Sequence, residues 1–130
     1  MTVAGEAIGP VRLAPVDPEL MKTMAVVLDD PNLIHLDPKV VSELGFGDRV
    51  INQGPSNCGY VIDVLLDTFP GTRLARFAAK FVGNVFGGDT LTVQGTVEEA
   101  DDAKIVCRAL LTNQVGDLVL HATAVLESRG

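Results

Sequence analysis

The period of the apolar positions changes along the chain. From Asp17 to about Leu28, Leu20, Met24, Val27 and Leu28 recur at helical spacing. Asp17-Pro18-Glu19 supplies the start of that helix: a capping carboxylate, a proline suited to the first turn and an acidic residue at the positive end. Pro31 disfavours helical geometry at Asp30, so the chain turns there. Asp37-Pro38-Lys39 repeats the cap-and-proline signal for a short helix carrying Val40, Val41 and Leu44, which Gly45 and Gly47 end. After Gln53-Gly54-Pro55, a stretch through Thr68 is apolar nearly all round and predicts a buried helix, stopped by Phe69-Pro70-Gly71.

Beyond that stop the pattern shifts to strands. Candidates are 74–82, 90–98, 103–113 and 118–126, with turns at Gly87-Gly88-Asp89, Ala100-Asp101-Asp102 and Val115-Gly116-Asp117. Val11-Arg12-Leu13 predicts a short first strand. The order (strand, helices, then an antiparallel meander) predicts an α+β fold, a curved sheet wrapped around one central helix.

With 130 residues the chain has the length of one domain, taken as 1–130, and enough material for a real core. Apolar residues make up 47% and charged residues 21%, an ordinary globular balance. A net charge of -7 argues against general binding to nucleic acid or acidic membranes. The amino-terminal residues lack a basic start and an apolar run, and no stretch is long enough to span a bilayer, so a cytoplasmic location is expected. Cys58 and Cys107 are far apart and lack metal-ligand spacing, which predicts two free thiols. No ligand cluster for a metal is visible.

Two places carry candidate chemistry. Asp30 and His35 lie five residues apart across a non-helical turn, with Asn32 between them as a residue that can fix such a turn. A carboxylate and an imidazole converging on one water form an acid–base unit. An aspartate and a histidine in a loop are more often solvated or capping groups, so spacing alone leaves both readings open. Asp37 competes as partner for His35, and its place before Pro38 suits a cap. His121 reads as a strand residue. The second place is Gln53-Gly54-Pro55. Gly54 allows close approach to the backbone, and its N–H can meet a developing oxyanion at the start of a helix. An ordinary turn into a helix explains the same residues.

The segment Asp30-x-Asn32-x-Ile34-His35-x-Asp37-Pro38 resembles the hydratase motif of the MaoC-like family, which includes the (R)-specific enoyl-CoA hydratases. The likeness extends over nearly the whole chain, through Gln53-Gly54, Ala79-Lys80-Phe81 to Leu91, and Asn113 to Asp117. Departures from the family pattern are Asp29 for a common Gly, Leu33 for Pro, Gln53 for His, Gly87-Gly88 for Pro-Gly, and Gly59 for a polar helix residue. The resemblance implies a hot-dog fold that assembles as a homodimer or a hot-dog heterodimer. It implies hydration of a trans-2-enoyl-CoA thioester to the 3-hydroxyacyl thioester, and the reverse dehydration.

In that reading Asp30 and His35 are catalytic. Gly54 is the oxyanion donor, and Asn32, Gln53 and Gly59 complete the substrate-binding set. No cofactor is expected beyond the coenzyme A of the substrate. Arg49, Arg73, Arg76 and Lys80 are candidates for its phosphates. The family also leaves open a 3-hydroxyacyl-carrier-protein dehydratase, a non-catalytic partner subunit of a heteromeric hydratase, and a thioesterase.

Overall fold

A computed structural model describes residues 2–130. Five strands form one antiparallel sheet: β1 (Ala7–Arg12), β2 (Thr72–Phe81), β3 (Thr92–Ala100), β4 (Lys104–Thr112) and β5 (Leu118–Ser128). Three helices precede β2: α1 (Pro18–Val27), α2 (Pro38–Glu43) and α3 (Gly54–Thr68). A single 3₁₀ turn, Leu33–His35, lies between α1 and α2.

The starts of α1 and α2 follow the sequence closely. Asp17 accepts the Glu19 N–H at 2.9 Å, and Asp37 accepts the Lys39 N–H at 2.9 Å, each with proline in the first turn. The inward face of α1 differs from the expected stripe. Met21 is the residue of that helix sealed in the core, while Leu20 and Val27 are well exposed. The helix lies along the edge of the core, so its stripe turns toward a cleft beside α3.

The strand order is β1-β3-β4-β5-β2. The meander expected after α3 therefore holds for β3-β4-β5 but not for β2. That strand pairs with β5, from Thr72 opposite Ser128 to Phe81 opposite Leu120. Gly87-Gly88-Asp89 is accordingly not a hairpin turn between paired neighbours. It belongs to a crossing segment that bridges Phe86 to Ile51 and bonds Gly87 N–H to the Val50 carbonyl. Alternate residues of the strands face inward, including Val93 and Val97, Cys107 and Leu111, and Leu120, Ala124 and Leu126. They pack on Val61, Val64 and Leu65 of α3, giving a sheet wrapped on a helix. The other side of α3 carries the exposed Asp63 and Asp67, so the helix is covered on one side only within this chain.

One glycine is required by this packing. A Cβ on Gly95 would collide with the Arg108 carbonyl on β4, so β3 and β4 can approach only with glycine there.

Candidate active site

The end of α1 sets the position of Asp30. Leu28 caps the helix, and Asp29 takes a left-handed φ of 50°, which turns the chain sharply. The Asp30 N–H then donates to the Ala25 carbonyl at 2.9 Å, holding the residue against the helix. Asp30 Oδ1 accepts the Asn32 N–H at 3.1 Å, and Asn32 Oδ1 accepts the Ile34 N–H at 3.2 Å. Two successive side-chain turns thus fold the segment back on itself. Asn32 caps the 3₁₀ turn, so its role is to shape the loop.

That folding brings His35 Nε2 to 3.2 Å from Asp30 Oδ2. His35 is buried, whereas the Asp30 side chain is 37% exposed. The far ring nitrogen, Nδ1, lies 2.6 Å from the Ile51 carbonyl. A carbonyl oxygen only accepts, so Nδ1 carries a hydrogen. Nε2 is therefore the ring nitrogen left to face the Asp30 carboxylate, which is open to water. A second bond, from Ile51 N–H to the Ile34 carbonyl at 2.8 Å, fastens the turn to the strand-like segment entering α3. Asp37 is used as the cap of α2 and does not pair with His35.

Gly54 opens α3 three residues after Ile51. Gln53 provides no side-chain cap, and Pro55 has no N–H, which leaves the Gly54 N–H free at the positive end of the helix. A Cβ on Gly54 would lie 3.3 Å from the Phe81 ring, a tight contact. Glycine thus lets Phe81 lie over the head of the helix.

Gln53 departs from its expected place among the substrate contacts. It is 1% exposed, and its Nε2 donates to the Met21 carbonyl at 2.8 Å, tying the head of α3 to α1. Its Oε1 is buried without a partner. Its observed work is positional. Gly59 is open: a Cβ there would meet nothing within 4 Å. It lines a cavity between α1 and α3 of about 340 Å³. A second cavity, of about 360 Å³, is bordered by His35, Lys22 and Arg49.

Among the cations considered for phosphate contacts, Arg73 is paired with Glu127 at 3.1 Å, and Arg76 and Lys80 are exposed on β2. Arg49 lies over the Phe86 ring and donates to the Gly87 carbonyl at 3.1 Å and to Asp89 Oδ1 at 2.9 Å. Both thiols are free. Burial raises the Cys58 thiol above its ordinary value, and burial with the Glu98 charge pushes Cys107 to about 11. Neither is activated as a nucleophile.

Two polar clusters were not foreseen. Asn52 Nδ2 donates to Asn57 Oδ1 at 2.9 Å and to the Tyr60 hydroxyl at 3.0 Å, below the head of α3. The other centres on Asp89, whose Oδ2 accepts the Phe86 N–H at 2.8 Å and whose Oδ1 accepts Gln114 Nε2 at 3.0 Å as well as Arg49. An aspartate ending a Gly-Gly-Asp run, with an arginine before a helix, was the available signal. Among the described residues no group of acidic, histidine and cysteine side chains is placed to hold a metal.

A central helix wrapped by an antiparallel sheet, with a carboxylate–imidazole pair near the segment entering that helix, defines a hot-dog protein. The chain belongs to the MaoC-like domain family, which it matches over residues 2–116. It is 37% identical over 68 residues to the enoyl-CoA hydratase ChsH3 of Mycobacterium tuberculosis, a match covering 49% of this chain and 23% of that protein's length. Among solved structures it resembles the ChsH1–ChsH2 complex from Mycobacterium tuberculosis, with a TM-score of 0.85 at 22% identity, covering 99% of this chain and 100% of the other. The (R)-hydratase of A. caviae superposes with a TM-score of 0.85 at 23% identity, covering 98% and 97% of the two chains. The HadBC 3R-hydroxyacyl-ACP dehydratase complex of Mycobacterium tuberculosis gives 0.79 at 22%, covering 96% and 97%. These similarities bear out the expected hot-dog fold.

Proposed function

We propose that this protein hydrates trans-2-enoyl-CoA thioesters to 3-hydroxyacyl-CoA and catalyses the reverse dehydration. The observation that carries this reading is the contact of His35 Nε2 with Asp30 Oδ2 at 3.2 Å, with Nδ1 held by the Ile51 carbonyl. The pair holds one water that reaches both the carboxylate and the imidazole from the solvent side. As the water oxygen bonds to Cβ, its proton passes to one member of the pair, and a proton is delivered to Cα. Charge that develops on the thioester oxygen meets the Gly54 N–H. A positioned donor of this type contributes about 3–4 kcal/mol in acyl-transfer enzymes. Acid–base groups suffice for these steps, and coenzyme A enters as part of the substrate.

The assembled pair favours a catalytic chain over a supporting subunit. The chain works in the cytoplasm as a hot-dog dimer, with itself or with a related chain. β2 offers the pairing edge, since it ends the sheet and carries the half-exposed Phe81. The test is loss of the conjugated enoyl absorbance on mixing purified protein with 2-enoyl-CoA thioesters. Asp30→Asn and His35→Ala should each lower kcat by about 10²–10⁴-fold while retaining a cooperative melt. Full activity in either folded variant overturns the assignment. A protein active only on carrier-protein thioesters is the dehydratase alternative.

A further inference from the structure

The cavity between α1 and α3 has a composition that points to a particular acyl group. One wall is the apolar stripe of α1, Leu20 and Met24, which helical spacing alone would turn toward the core. The opposite wall is the face of α3 carrying Pro55, Gly59 and Asp63, each four residues apart. Pro55 follows Gly54 directly, and Met24 adjoins Ala25, whose carbonyl holds the Asp30 N–H. The cavity therefore begins at the head of α3, at the residue that follows Gly54, while His35 and Asp30 border neighbouring cavities. Gly59 leaves it wide, because no side chain fills the space above that helix turn.

A cavity meant for a plain hydrocarbon would be lined by carbon throughout. This one contains hydroxyls with unmet hydrogen-bonding capacity. The Tyr60 oxygen accepts from Asn52 at 3.0 Å, and its own hydrogen has no protein acceptor among the described residues. Ser56 also borders the space, but its Oγ is buried and has no partner. The Asp17 and Asp63 carboxylates also border the space, and no Lys, Arg or His does so among the described residues. Hydroxyl donors call for an oxygen on the ligand, and the carboxylates accept from a ligand hydroxyl and repel a ligand anion.

We propose that this cavity receives the acyl group of the thioester and selects a bulky, neutral, oxygenated one, carrying a hydroxyl or keto oxygen. A plain hydrocarbon or an acyl group ending in a carboxylate is disfavoured. The inference rests on the hydratase reading and names the substrate class of that same site. Gly59 sets the permitted width, Tyr60 reads the oxygen, and Asp63 excludes the anion.

The experiment compares kcat/KM for trans-2-enoyl-CoA thioesters bearing cyclohexyl, hydroxycyclohexyl and carboxycyclohexyl groups, with crotonyl-CoA as the small reference. The parent should prefer the hydroxylated ring over the plain ring by roughly 5–10-fold, the worth of one neutral hydrogen bond, and should turn over the carboxylated ring worst. Tyr60→Phe should erase the preference for the hydroxyl. Asp63→Asn should narrow the gap to the carboxylated ring. Gly59→Leu, which improves helix propensity and so does not threaten folding, should lower the ratio of cyclohexyl to crotonyl turnover. Activity on plain thioesters with equal or lower activity on the hydroxylated ring overturns this inference and leaves the hydratase reading intact. So does a hydroxyl preference that survives Tyr60→Phe, or a size ratio unmoved by Gly59→Leu. A parent inactive on every thioester overturns both.

Discussion

Replacing Asp89 with asparagine tests how the crossing segment is held beside the site. The aspartate is 1% exposed and receives three donors: the Phe86 N–H, the Gln114 amide and the Arg49 guanidinium. Asparagine keeps the shape but has only one acceptor oxygen. With that oxygen placed toward Phe86, the new amide meets Arg49 and Gln114. With the amide reversed, it meets the Phe86 N–H. At least one donor is left unpaired either way. Hydrogen bonds to a charged group contribute about 1.5–3 kcal/mol each. The Arg49 share is discounted because that side chain is 48% exposed. The net loss for Asp89→Asn is then about 2–3 kcal/mol at pH 7, or roughly 10 °C in Tm for a chain of this size.

Acid should erase this difference. Burial by itself raises the Asp89 carboxyl, but the Phe86 N–H, Gln114 and Arg49 together outweigh it and hold the carboxyl below its ordinary value. A carboxyl depressed in the folded state stabilises fully above its unfolded value, about 3.9, and that contribution is lost as the pH falls through the lower folded value. Thermal melts of parent and variant across pH 7 to the acid limit measure the gap directly. A gap under about 0.5 kcal/mol at pH 7, or one that stays constant into acid, refutes the account.

Gly95→Ala should destabilise severely, by about 3 kcal/mol or more, because the added carbon meets the Arg108 carbonyl within the sheet; denaturant titration would show it. Asp29→Gly should gain about 0.5–1 kcal/mol in the same assay, since a left-handed φ of 50° suits glycine better than aspartate. Asn32→Ala should lower stability by about 1 kcal/mol through loss of the cap on the 3₁₀ turn, and should lower kcat further by loosening Asp30 from His35. Gly54→Ala should leave Tm almost unchanged, because the half-exposed Phe81 ring can give way, yet lower kcat/KM by about tenfold through a displaced donor.

The sequence made the local geometry of the pair readable because that geometry is local. Asp17, Asp37 and Asn32 each hold a backbone N–H within two residues, so chain order alone specifies those bonds. Facing was harder to read. Leu20 and Met24 have the spacing of a core stripe, but α1 lies at the edge of the sheet and Met21 took the inward position. The neighbour of β2 was also illegible, since alternation marks a strand without naming its partner. Gln53 looked like a binding residue because it sits at the head of α3. Its burial depends on Met21, 32 positions away, which no local pattern records. The three donors on Asp89 come from residues 3, 25 and 40 positions away, beyond the reach of any turn motif except the first.

The Ile51 carbonyl that grips His35 has a consequence for how the protein can change. In the proposed reaction, proton carrier and oxyanion donor are linked by a short stretch of main chain, Ile51 to Gly54, so once the His35 ring is gripped their separation is set by the backbone. On that reading, drift in the residues of α1 or along the open face of α3 can recut the proposed acyl cavity without altering that spacing. The proposed chemistry and selectivity are thus separable in this architecture, so that a lineage with this reaction can explore new acyl groups while the reaction itself stays fixed.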